Sequence, residues 1–102
     1  MKNAFNKYKF FLVIISGSAF SGCSRKHQKY VGEEVLYIKT VHYFEDCQHF
    51  CDRMSTCSTW SHNNNRRERK HVGCHLFAEG AARIPASRSW TSGVKLCLSE
   101  EK

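Results

Sequence analysis

CQHFCDRMSTC, residues 47–57, places three cysteines at x3 and x5 spacing. Thiolates at such spacing serve as zinc ligands, redox thiols or halves of disulfides, and each role belongs to a different setting. Read together with its upstream neighbours, the stretch brings Phe44, Cys47, Cys51 and Met54 to three- and four-residue intervals, with Phe50 beside them. Glu45, Asp46, Gln48, His49, Asp52 and Arg53 fill the other side. This spacing predicts an amphipathic helix of about three turns whose first turn carries acidic residues, where the helix dipole favours them. Cys47 and Cys51 then face the core together. Two cysteines one turn apart on a helix crosslink nothing useful, so each must reach elsewhere. Cys51 can reach Cys57 just past the helix end, and Cys47 a cysteine on a neighbouring strand.

The compartment is read from the N-terminus. MKNAFNKYK carries Lys2, Lys7 and Lys9, FFLVIISGSAF follows as a short apolar core, and small residues come next. That is the layout of a secretory signal peptide, with Ala19 and Ser21 suited to the −3 and −1 positions of a cleavage site. Residues 1–21 are expected to be removed, leaving a secreted module over residues 22–102 that starts near Gly22. The apolar core falls short of the ~20 residues a membrane-spanning helix needs, and no span is expected. A rival reading makes AFSGC a lipoprotein signal with Cys23 lipidated, giving a cell-envelope lipoprotein. It strands five cysteines in an oxidising compartment and puts Phe20 where an aliphatic residue is usual.

The remaining chain, roughly 80 residues, is marginal on apolar burial alone, and secreted domains of that size add disulfides. With the leader in view, disulfides are preferred to zinc, which would want a second close pair of ligands and whose nearest candidates, Cys74 with His71 or His75, form an irregular set. Removing the three leader lysines lowers the formal charge of +7 to about +4, compatible with an acidic partner but no proof of one.

Along the chain, residues 23–32 are polar and basic. EEVLYIK reads as a strand apolar on both faces that sits between layers. CSTWS and GCHLF read as short strands separated by HNNNRRERKH, an exposed loop, and AEGAARIPASRS is a second connection. WTSGVKLCL closes the chain as a strand. The expected fold is α+β, a small disulfide-stapled domain with one helix packed on a curved antiparallel sheet, and both Trp60 and Trp90 are assigned to the core.

Cys23, the strand, the helix bearing EDCQHFC, Cys57, Trp60, CHL at residues 74–76 and SGVKLC ending at Cys97 together resemble the PAN/Apple domain family. The resemblance covers nearly the whole mature chain. It implies the pairs Cys23 with Cys97, Cys47 with Cys74 and Cys51 with Cys57. It also implies a non-catalytic adhesion module that binds a protein or glycan ligand. One departure is Tyr43, where the family usually has a Ser or Thr at the helix start, a good N-cap.

No catalytic arrangement emerges: with the cysteines paired, the remaining nucleophile candidates are scattered serines without a Gly-rich elbow or paired carboxylates. His62, His71 and His75 flank the basic loop, but isolated histidines in a polar loop are more often solvated than liganding, so no metal or cofactor is expected. The sharper signal is NRRERKH. Arg66, Arg67, Arg69 and Lys70, with His71 beside them, form the pattern that engages sulfated polysaccharides through forked guanidinium contacts. The plainer reading is a solvated loop. Nucleic acid is disfavoured, since the loop lacks interleaved aromatics and the chain reads as secreted. The alternative function class is a secreted inhibitor or decoy that occupies a host or protease surface.

Overall fold

The stripe of residues 44–54 folds as read: helix α1 spans Phe44–Arg53 and buries Cys47, Gln48 and Cys51. The computed structural model describes residues 23–96, so the leader and Cys97 lie outside the described residues. Tyr43 is the N-cap and makes no side-chain capping hydrogen bond, the consequence of the departure noted at that position. Glu45 and Asp46 occupy the first turn and Arg53 the last, matching the helix dipole at both ends.

Among the described residues seven strands accompany this helix: β1 (Arg25–Lys26), β2 (Gln28–Val31), β3 (Glu34–Ile38), β4 (Thr59–Asn63), β5 (Gly73–Phe77), β6 (Ala82–Pro85) and β7 (Trp90–Val94). Five of them form an antiparallel sheet in the order β1-β7-β4-β5-β3, and β2 pairs with β6 in a separate ribbon. Side chains alternate across a strand, so β4 sends Trp60 and His62 to the helix side and Thr59, Ser61 and Asn63 to the other. On the helix side Trp60 is fully buried and stacks on Phe44, with ring centroids 6.0 Å apart. On the far side the Tyr30 amide of β2 donates to Ser61 Oγ at 2.7 Å, so the ribbon leans on the sheet opposite α1.

Two disulfides hold the helix down. Cys47 is bonded to Cys74 of β5, and Cys51 to Cys57, with all four sulfurs in the buried core beside Val41, Trp60 and Leu76. These are two of the pairs that the resemblance implies. Cys23 is also disulfide-bonded, while the implied pair Cys23 with Cys97 involves a residue outside those described.

Gln48 shows why a polar helix position is buried. Its carbonyl accepts from Trp60 Nε1 at 3.0 Å, and its amide donates to Asp52 Oδ1 at 2.8 Å and to the Val94 carbonyl at 2.9 Å. One side chain thereby joins α1 to β4 and β7 with all its polar atoms used, which removes the penalty of burying it.

The structure departs from the sequence reading in four places. EEVLYIK does not sit between layers: β3 is an edge strand, paired only to β5, and Leu36 is 40% exposed. The polar run of residues 23–32 contains β1 and β2, and AEGAARIPASRS contains β6. HNNNRRERKH is a loop only from Asn64 onward, because His62 and Asn63 complete β4 and are buried. The last strand stops at Val94, where Lys95 and Leu96 turn away and Leu96 takes a left-handed φ of 49°.

Candidate functional site

The loop of residues 64–72 begins at a fully buried anchor. Asn63 Nδ2 donates to Glu68 Oε1 at 2.6 Å, while Asn63 Oδ1 accepts the Asn65 amide at 2.7 Å. Asn65 repeats the device one step on, its Oδ1 accepting the Arg67 amide at 3.0 Å, as Asn side chains do in turns. The Glu68 amide closes back onto the Asn65 carbonyl, and the Glu68 carbonyl accepts the amides of both His71 and Val72. Glu68 reads in the sequence as an opposing charge among the cations. In the folded chain its carboxylate reaches the Asn63 amide and organises the turn that carries them.

The far end of the loop rests on His75. Its ring stacks on Tyr37 at 4.4 Å and lies 5.4 Å from that of Trp90. Nδ1 lies 3.0 Å from Glu34 Oε1, and Nε2 lies 2.7 Å from the His71 carbonyl. Burial, with the Glu34 carboxylate as a second cause, raises the Tyr37 phenol above its ordinary value, and that hydroxyl donates to the Val72 carbonyl. Trp90 completes the pedestal, with Lys29 Nζ 4.8 Å above its ring and the His71 ring 6.3 Å away.

Arg66, Arg67, Arg69, Lys70 and His71 are all exposed on this fixed loop. The structure adds a cation that the sequence reading omits. The Asn64 amide donates to the Ser89 carbonyl at 3.1 Å, which lays the β6–β7 connection against the basic loop. Arg88 then joins Arg66 and Arg67 around an open depression of about 600 Å³ whose remaining wall is Asn64, Asn65, Ser87 and Ser89. Arg69 and Lys70 stand outside that lining. Three guanidinium groups, two hydroxyls and two amides supply donors for an anion with several oxygens.

His62 and His75 are buried strand residues, so the expectation of solvated loop histidines holds for the exposed His71 and fails for those two. His62 is 3% exposed and its Nε2 donates to the Val41 carbonyl at 2.8 Å. Burial, the largest cause, pushes its pKa below the ordinary 6.5; the Val41 bond and Glu45 oppose this, and His75 and His42 add to it. Below 6.5 the unfolded chain therefore takes up a proton that the folded chain resists. The stability that His62 provides falls as pH drops from 6.5 towards the lowered folded value, then levels off. Melting curves between about pH 7 and about pH 5 should show a smaller loss for His62→Gln than for wild type, and parallel curves would remove His62 as the source.

Among the described residues no group of His, Cys, Asp or Glu is arranged to hold a metal ion, and no helix is long and apolar enough to cross a membrane.

The segment from β3 to the end of β5 contains both described disulfides, Trp60 and the basic loop. That same segment, residues 34–77, matches the family model described as the PAN domain. No match was found among curated proteins or among solved structures. With a helix stapled to an antiparallel sheet at Cys47 and Cys74, the matched segment supports a domain of the PAN/Apple type, and PAN domains are generally non-catalytic modules for binding protein or carbohydrate.

Proposed function

We propose that this protein is a secreted, non-catalytic adhesion module that binds a sulfated polysaccharide through Arg66, Arg67, Arg69, Lys70 and His71, with Arg88 as an added contact. The observation that carries this reading is the convergence of Arg66, Arg67 and Arg88 on one open depression from two loops tied together at Asn64 and Ser89. A solubility requirement alone would disperse such charge. The hydrogen bonds through Asn63, Asn65 and Glu68 fix the backbone before any ligand arrives, which reduces the ordering cost of binding.

Contacts between exposed ions are screened, with a Debye length of about 8 Å at physiological salt, so retention on heparin should fall steeply as salt rises. Replacing Arg66, Arg67, Arg69 and Lys70 with Ala should abolish retention, and Arg88→Ala alone should lower the eluting salt concentration. Neither change should move the melting temperature appreciably, since exposed substitutions usually cost under about 0.5 kcal/mol each. Equal retention of wild type and the quadruple variant at matched salt would reduce the loop to a solvated surface.

Secretion is part of the same reading. A Cys23 sulfur held in a disulfide cannot also carry a thioether-linked lipid, which favours cleavage before Gly22 over lipidation at Cys23. The intact mass of the exported protein should show residues 22–102 with all six cysteines oxidised, including a pair between Cys23 and Cys97. A lipid adduct or a free thiol would overturn both the processing and the pairing.

A further inference from the structure

The arginine-lined depression does not stand alone. It shares Asn64 and Arg66 with a second depression of about 420 Å³, which in turn shares Val41, His42 and Tyr43 with a third of about 500 Å³ beside α1. Each falls in the size range of about 300–1,000 Å³ that suits a drug-sized ligand, so the three in series exceed what a single anionic group would fill. Fixed positive charge stands at both ends of the path, Arg66, Arg67 and Arg88 at one and Arg53 at the other, and Asp46 is the one acid among the lining residues. Between the cationic ends Tyr43 presents its ring to solvent, 68% exposed and with no capping duty to perform.

We propose that these three depressions form one trough for an extended sulfated glycan, with sulfates on the Arg66, Arg67 and Arg88 end, a sugar ring against Tyr43, and Arg53 meeting the distal charge. This rests on the sulfated-polysaccharide reading above and gives it a path and a minimum length. Cations set apart along a shallow trough suit a polymer whose anions are spaced along a stiff backbone, and an exposed aromatic ring between them suits the apolar face of a sugar. An acidic peptide fits less well. Peptide capture usually relies on a free strand edge or a continuous apolar groove, and the walls here are side chains of loops and of one helix, joined only by Ile38 at the end of β3 and Asn63 at the end of β4.

The test measures, by calorimetry, the binding of heparin tetrasaccharide and heparin dodecasaccharide to the folded, oxidised protein. Wild type should bind the longer chain at least roughly tenfold more tightly than the shorter, more than the few-fold gain expected from extra binding registers. Tyr43→Ala should erase most of that difference by weakening the dodecasaccharide far more than the tetrasaccharide, and Tyr43→Phe should retain it. Arg53→Ala should weaken only the longer chain. The combined Arg66→Ala, Arg67→Ala and Arg88→Ala variant should lose both ligands. Length-independent binding, or equal weakening of both ligands by Tyr43→Ala, would overturn the trough while leaving the arginine end intact. Absence of binding to either oligosaccharide would sink the underlying glycan reading, and polyglutamate binding with the same dependence on Tyr43 would overturn the choice of glycan over acidic peptide.

Discussion

Replacing Cys47 and Cys74 together with Ala is expected to lower the melting temperature by roughly 15–30 °C. The bridge closes a separation of 27 residues, and the chain-entropy relation assigns such a closure about 3.5 kcal/mol. In a domain of 60–100 residues each kcal/mol corresponds to roughly 4–8 °C. The bond between Cys51 and Cys57 spans 6 residues and by the same relation contributes only about 2.2 kcal/mol. Position widens the gap. Cys47 to Cys74 joins the helix to β5 in the middle of the core, whereas Cys51 to Cys57 fastens the helix only to the turn that follows it. The Cys51/Cys57 double variant should therefore melt clearly above the Cys47/Cys74 double variant. Should the two melt together, the bond to β5 is not the principal staple.

What could be read in the sequence followed from how strongly burial marks each element. The helix was legible because Phe44, Cys47, Cys51 and Met54 repeat at its period, and β5 because GCHLF is compact and is buried along its whole length. The β2–β6 ribbon left no such mark. Every residue of β6 is exposed and only Tyr30 of β2 is buried, so no alternation of apolar and polar residues exists to be detected. His62 and Asn63 were misread for the opposite reason. They are polar and fully paired inside, His62 to the Val41 carbonyl and Asn63 to Glu68, and composition alone cannot separate a satisfied buried amide from a solvated one. The cationic loop was visible as a run of charge, but its partner Arg88 was not. Arg88 approaches Arg66 and Arg67 only because the Asn64 amide meets the Ser89 carbonyl, a contact between segments distant in sequence. The trough past Tyr43 was equally hidden, since it exists only where the start of α1, the end of β4 and the basic loop meet.

Trp60→Ala is expected to cost about 3–5 kcal/mol, the usual range for removing a large aromatic side chain from a core. The indole is fully buried and stacked on Phe44, and its Nε1 is the donor that satisfies Gln48 Oε1. Its loss opens a cavity and leaves a buried amide oxygen short of a partner, so both penalties act at one point. Trp90 remains as the fluorescent reporter, which allows denaturant titration of wild type and variant with the same probe. The neighbour that fixes the size of this pocket is Gly93 of β7. A Cβ at Gly93 would stand 2.7 Å from Trp60 Cζ2, closer than packed atoms allow, so the strand must carry glycine there for the indole to lie flat against it. Gly93→Ala should by itself destabilise the domain by about 1–3 kcal/mol through overpacking. In the Trp60→Ala background the same methyl enters the space that the indole has vacated, so its cost should shrink or change sign. The two substitutions together should consequently cost less than the sum of their separate effects by at least about 1 kcal/mol, since residues in contact couple on that scale. Strict additivity would mean that the β7 backbone does not press on the indole face, and the close packing of Gly93 against Trp60 would not limit stability.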